Sequence, residues 1–121
     1  MNSYYTELRA CLESQFYADN FAHIAQISFE AAGAADRPLP FMLLWSIFFT
    51  LEARWRDRRM DDTVARQMEH HLRAPILDYV SAAEKGINSD EELRLLNRIS
   101  AAYRSWLAVQ MQILYGDWAN R

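Results

Sequence analysis

The most apolar stretch of the chain is Phe41–Leu51, FMLLWSIFFTL, in which nine of eleven residues are apolar and the other two are Ser46 and Thr50. A short apolar run suits strand or helix, so the run alone does not decide between them. Its surroundings do. Leu, Met, Trp and Phe dominate over β-branched residues, and Pro38 and Pro40 stand where a first helical turn tolerates proline. No turn signal interrupts the pattern through Glu52–Arg59. The pattern predicts a helix from about Leu39 to about Arg58. On a helical wheel its polar side is a narrow seam of Ser46, Thr50 and Asp57. A helix apolar on nearly every side is either enclosed by neighbours or carries an interface on part of its surface. The 11-residue run falls short of the ~20 residues a bilayer requires, and Glu52, Arg54 and Arg56 follow it. No membrane span is predicted.

Three further helices follow from the same periodicity. The first starts near Ser3, a candidate cap, and ends at Gly33, read as a left-handed C′ residue. Its stripe shifts from Tyr5, Leu8, Leu12 and Phe16 to Tyr17, Phe21, Ile24 and Ile27. A bend near Ala18–Asp19–Asn20 would explain the shift, with Asp19 able to cap a second segment. The third helix spans Asp62–Lys85, capped by Asp61 or Asp62, with Pro75 expected to kink it or split it near Arg73. Gly86 ends it. Ser89–Asp90–Glu91–Glu92 reads as a capping box, with Ser89 the cap and Glu92 reaching back. The fourth helix runs from Asp90 to about Tyr115 and closes at Gly116. Its broad stripe includes Leu96, Ile99, Tyr103, Trp106 and Leu107. Short connections between such helices predict an all-α fold: an antiparallel four-helix bundle around a highly apolar second helix, with a possible fifth helix if Pro75 divides the third.

At 121 residues the chain is long enough for one domain with its own core. The formal net charge of −3 argues against a dedicated nucleic-acid binder. The one basic cluster is Arg54, Arg56, Arg58 and Arg59 around Trp55. Arg54, Arg58 and Arg59 are its candidate anion-binding residues, since stacking plus phosphate contact would suit this composition. The four arginines diverge around a helix, however, and Asp57, Asp61 and Asp62 dilute their charge. Cys11 is the single cysteine, so no intrachain disulfide forms, which fits a reducing compartment. The first residues show no basic segment followed by an apolar one, so cytoplasmic residence is the expectation.

Candidate chemistry is sparse. Glu69–His70–His71 resembles a metal motif, but adjacent histidines diverge by about 100° on a helix. Neither has an Asp, Glu, His or Cys three or four residues away. No metal site, catalytic set or cofactor is predicted. His23 and Glu30 share a helix face, and Glu52 lies in the apolar sector near Trp45. Were they to meet, they would form a polar cluster among aromatics. Glu52 can equally pair with Arg56 at i+4. Gln110 falls within the apolar stripe of the fourth helix and Asn20 is similarly placed on the first, as an amide that fixes register or one that orients a ligand.

These observations support two readings. The leading one is a non-enzymatic helical interaction protein that self-associates, as a dimer, through the second helix. Trp45, Phe48, Phe49 and Trp55 would form the contact, and a different protein is the other partner considered. The alternative is a small-molecule binder, or an enzyme poor in motifs, whose pocket is lined by Gln110, His23, Glu52, Trp45 and Trp106.

Overall fold

The computed structural model describes residues 2–14, 18–57 and 62–119, of which 2, 18, 19, 62, 69 and 109–119 are described by their backbone alone. Among these residues the chain is all-helical, with no strand. It has five helices: α1 (Asn2–Glu13), α2 (Ala18–Ala34), α3 (Leu39–Arg56), α4 (Asp62–Lys85) and α5 (Ser89–Ala119). No helix among the described residues is long and apolar enough to cross a membrane.

The fifth helix arises at a different place from the one Pro75 suggested. α4 runs unbroken through Pro75. The proline frees the carbonyl of His71, an exposed residue where water can replace the lost donor. The division falls instead between α1 and α2, where residues 15–17 lie outside the described chain. Ser14 marks the end of α1: its hydroxyl donates to the Cys11 carbonyl at 2.7 Å and accepts from Asn20 Nδ2 at 3.0 Å. Arg73 of α4 donates to the Ser14 carbonyl at 2.6 Å. The last turn of α1 is thus anchored to α4, while α2 packs chiefly along α3.

Helix ends correct several expectations. α3 starts as its prolines require: Pro38 is the N-cap, Pro40 lies in the first turn and Met42 N–H donates to the Pro38 carbonyl at 2.9 Å. α1 begins at Asn2, so Ser3 lies inside the first turn rather than capping it. Gly33 is helical, because α2 continues to Ala34 and Ala35 N–H closes it on the Ala31 carbonyl at 2.9 Å. Gly86 does adopt the left-handed conformation, with φ 83°. The cap of α5 is Asn88 rather than Ser89: its side-chain oxygen accepts from Glu91 N–H at 2.8 Å. Glu92 does not reach back; it pairs with Arg37 at 2.8 Å. Gly116 does not end α5, which continues to Ala119. The proposed caps Asp61, Asp62 and Asp19 lie outside the described residues or side chains.

α2 packs along α3 and α4 along α5, while α1 touches both α2 and α4. The connections are short, residues 35–38 and 86–88. One buried cluster unites the helices, with Leu8 and Leu12 from α1, Phe21, Ile24 and Ile27 from α2, and Leu72, Ile76 and Tyr79 from α4. α3 contributes Phe41, Leu44, Ile47, Phe48 and Leu51. That i, i+3, i+7 spacing occupies one face of α3, which leaves its remaining apolar residues to find another use.

Candidate functional site: an apolar groove between α2 and α3

The residues of α3 that miss the core form a second stripe: Met42, Trp45 and Phe49, followed by Glu52 and Arg56. Met42 and Phe49 are more than half exposed, at 52% and 53%. On α2 the positions Ala22, Gln26, Phe29 and Gly33 recur at helical spacing on the side turned toward this stripe, and Phe29 is 62% exposed. The rings interlock across the helix seam. Phe29 lies 5.9 Å from Trp45 and Trp45 lies 5.5 Å from Phe49, centroid to centroid, in tilted arrangements favoured by aromatic quadrupoles.

Two recesses share Phe29 and Trp45 as a common wall. One, of about 410 Å³, is bounded by Ala32, Gly33, Pro38 and Met42. The other, of about 480 Å³, is bounded by Ala22, Gln26, Phe49, Glu52 and Arg56. Together they make a furrow with small residues beneath and rings along its sides. Its polar end is an i, i+4 pair, Glu52 to Arg56 at 3.4 Å. Gln26 donates to Glu30 at 3.3 Å on the α2 rim. The rim therefore carries both signs of charge.

The structure separates the residues nominated from sequence. Trp45 and Glu52 line the furrow together. Phe49 lines it and is exposed. Phe48 is fully buried, with its ring 6.2 Å from Phe21, so it supplies core and no outward surface. Trp55 is half-buried against the core. Trp106 is buried, stacks on Tyr103 at 6.3 Å, and has the Arg54 guanidinium 6.0 Å over its ring. His23 is exposed and does not join Glu52. The Gln110 side chain, and Arg58 and Arg59, lie outside the described residues. Of the basic cluster, Arg56 is engaged by Glu52 and Arg54 by an aromatic ring. The polar cluster of His23, Glu30 and Glu52 does not form.

Burial shapes the titrating groups. Cys11 is buried in the core and its thiol is pushed up by burial, with the Glu7 charge adding to the effect, the opposite of an activated nucleophile. Tyr103 is likewise raised by burial, partly offset by Arg54 and by its hydrogen bond with Thr50. Among the described residues no three His, Cys, Asp or Glu side chains gather to hold a metal ion.

Sequence reasoning missed Phe29 and Met42. Phe29 lies off the buried stripe of α2, between the polar Gln26 and Glu30. A large ring on a polar face was the available signal. No family model, curated protein or solved structure matches this chain.

Proposed function

We propose that this chain is a non-catalytic interaction protein that associates with a second copy of itself through the outer face of the α2–α3 pair. The observation that carries the reading is the ring ladder Phe29–Trp45–Phe49 with Met42. It presents large apolar side chains to solvent along one continuous furrow. Such rings are the residues that dominate association energetics. A two-fold contact sets a patch against itself, which a rim of single-sign charge would oppose. Here Glu52 and Arg56 neutralise each other within the rim, and the chain's formal net charge is only −3. In this reading the helices form an antiparallel bundle in which α1 and α2 act as one broken member, and the dimer forms in the reducing cytoplasm.

Sedimentation velocity across micromolar concentrations tests the proposal on the wild type and on a Phe29→Ser/Phe49→Ser variant. The expected result is a wild-type dimer and a folded monomeric variant. A wild type that stays monomeric at the highest concentration overturns it.

A second reading has one observation in its favour: Trp45 and Glu52 line the same recess, of a size that suits a small molecule. A native mass spectrum separates the two. A bare dimer supports self-association, and a monomer retaining extra mass supports a bound small molecule.

A further inference from the structure

At the other side of the α2–α3 connection, a recess of about 260 Å³ opens between the start of α1, the last two turns of α4 and the first turn of α5. Its aromatic walls are Tyr5, Phe41 and Tyr79, with the Tyr5 and Phe41 rings 5.9 Å apart. Tyr79 is 1% exposed, and its hydroxyl is hydrogen-bonded to that of Tyr5. Glu92 of α5 supplies the enclosed charge. Its side chain is 13% exposed, whereas that of Arg37, which meets it at 2.8 Å, is 56% exposed. Asp36 adds a second carboxylate at the mouth. On the Gly86 side nothing lies within 4 Å of where a Cβ would stand, so that edge is open.

The chemistry of this recess is that of a cation site. Aromatic faces attract cations through their quadrupole, most strongly where water is excluded. A mostly enclosed carboxylate needs a positive partner, and its loss is costly. At present that partner is Arg37, from the four-residue connection between α2 and α3. The enclosed charge is negative and the exposed one positive, so an incoming cation can replace Arg37 without leaving a charge stranded inside. An incoming anion would have to pair with the outer group and face Glu92. The volume falls just below the usual range for ligand pockets, about 300–1,000 Å³, which limits the ligand to a few carbon atoms.

We propose that the recess between Tyr5, Phe41, Tyr79 and Glu92 binds a small organic cation, an alkylguanidinium or alkylammonium, and that Arg37 is its internal competitor. None of these residues lines the α2–α3 furrow, so the proposal stands or falls independently of self-association.

The test is a titration of the full chain with methylguanidinium, which carries the head group of Arg37, followed through the Tyr5 and Tyr79 ring resonances. Tetramethylammonium and sodium chloride run in parallel. In Arg37→Ala, saturable shifts are expected at a concentration about tenfold below that needed in the wild type, because the internal competitor has been removed. In Arg37→Ala/Glu92→Gln they are expected to vanish. Saturation by tetramethylammonium also supports the site, through its aromatic walls. Three results overturn it: no saturable shift in a folded Arg37→Ala chain, a response that survives Glu92→Gln, or equal shifts with sodium chloride. Should Arg37→Ala lose helical circular dichroism, Arg37→Gln keeps the stem of the side chain and decides the same question.

Discussion

The α2–α3 pair and the α1–α4–α5 group face water in opposite ways. Between α1, α4 and α5 the outer seams are closed by charge. Arg9 of α1 pairs with Glu84 of α4 at 2.6 Å and reaches Ser81 at 3.2 Å, and Asp78 of α4 pairs with Arg98 of α5 at 2.9 Å. The outer seam between α2 and α3 is closed by rings, and the Glu52–Arg56 ion pair at its end lies within α3. Both halves bury apolar residues inward in the same way. What differs is the outer surface, and folding alone does not require that difference. Charged seams keep a helix pair soluble at little energetic cost, since exposed pairs are worth ~0–1 kcal/mol. Exposed rings are stabilised only by what covers them.

The comparison can be broken most directly at Phe48 and Phe49, adjacent on α3 but turned one into the core and one to solvent. Phe48→Ala empties a fully buried position and is expected to cost about 3–5 kcal/mol in urea unfolding. A loss below 1 kcal/mol would mean that α3 is not the core element described.

On the charged side, Tyr5 and Tyr79 give a pH signature. Burial raises both phenols above the ordinary value of 10. A raised folded-state value means that the native protein holds these protons more tightly than the unfolded chain. Their contribution is therefore complete below pH 10 and is lost as the pH rises above it. Stability should fall by up to about 1.4 kcal/mol per pH unit there through Tyr79, and by less through the more exposed Tyr5, whose charge water screens. Tyr79→Phe is expected to flatten that slope, and an unchanged slope would place the titration elsewhere.

The start of α5 offers a smaller contrast. Asn88→Ala removes the cap and should cost about 1 kcal/mol, whereas Ser89→Ala should stay within about 0.5 kcal/mol. Equal effects in thermal melts would return the cap to Ser89. A comparably small change belongs to Phe49→Ser measured on dissociated protein, expected at about 1 kcal/mol from its lost ring contact with Trp45. A loss as large as that of Phe48→Ala would erase the distinction between the two faces of α3.

The helical class and the position of α3 were legible because they rest on local chemistry. Prolines at 38 and 40 and an uninterrupted apolar run leave few alternatives. Helix ends were less legible because adjacent residues compete for the same role. Asn88 and Ser89 are comparable caps, and because Arg37 draws away Glu92, the capping-box partner of Ser89, the choice falls to Asn88. Gly33 resembles a terminator, yet α2 is carried one residue further. Pro75 was the stronger apparent breaker, but the first helix ended at Glu13 instead, close to where the apolar stripe changes face.

The candidate site was half legible for a related reason. An all-round apolar helix implies that some of its apolar residues lie off the core face, as Trp45 and Phe49 do. It cannot say that Phe48 turns inward, because a wheel apolar on every side has no marked face. Phe29 and the Tyr5–Tyr79–Glu92–Arg37 recess depend on which helices meet, and that is set by packing across long sequence separations.

The anchoring of α1 also has a kinetic consequence. The two most extensive helix pairings, α2 with α3 and α4 with α5, join elements adjacent in the chain. The bonds that fix α1 span far more: Arg9 and Glu84 are 75 positions apart, and Arg73 and Ser14 are 59 apart. Closing a loop costs entropy that grows with its length, and local pairings form first where they exist. The chain is therefore expected to assemble as two separate hairpins, with α1 arriving last as the clasp that joins them. The same clasp should be the first to let go, so amides of α1 are expected to exchange with solvent before those of α3.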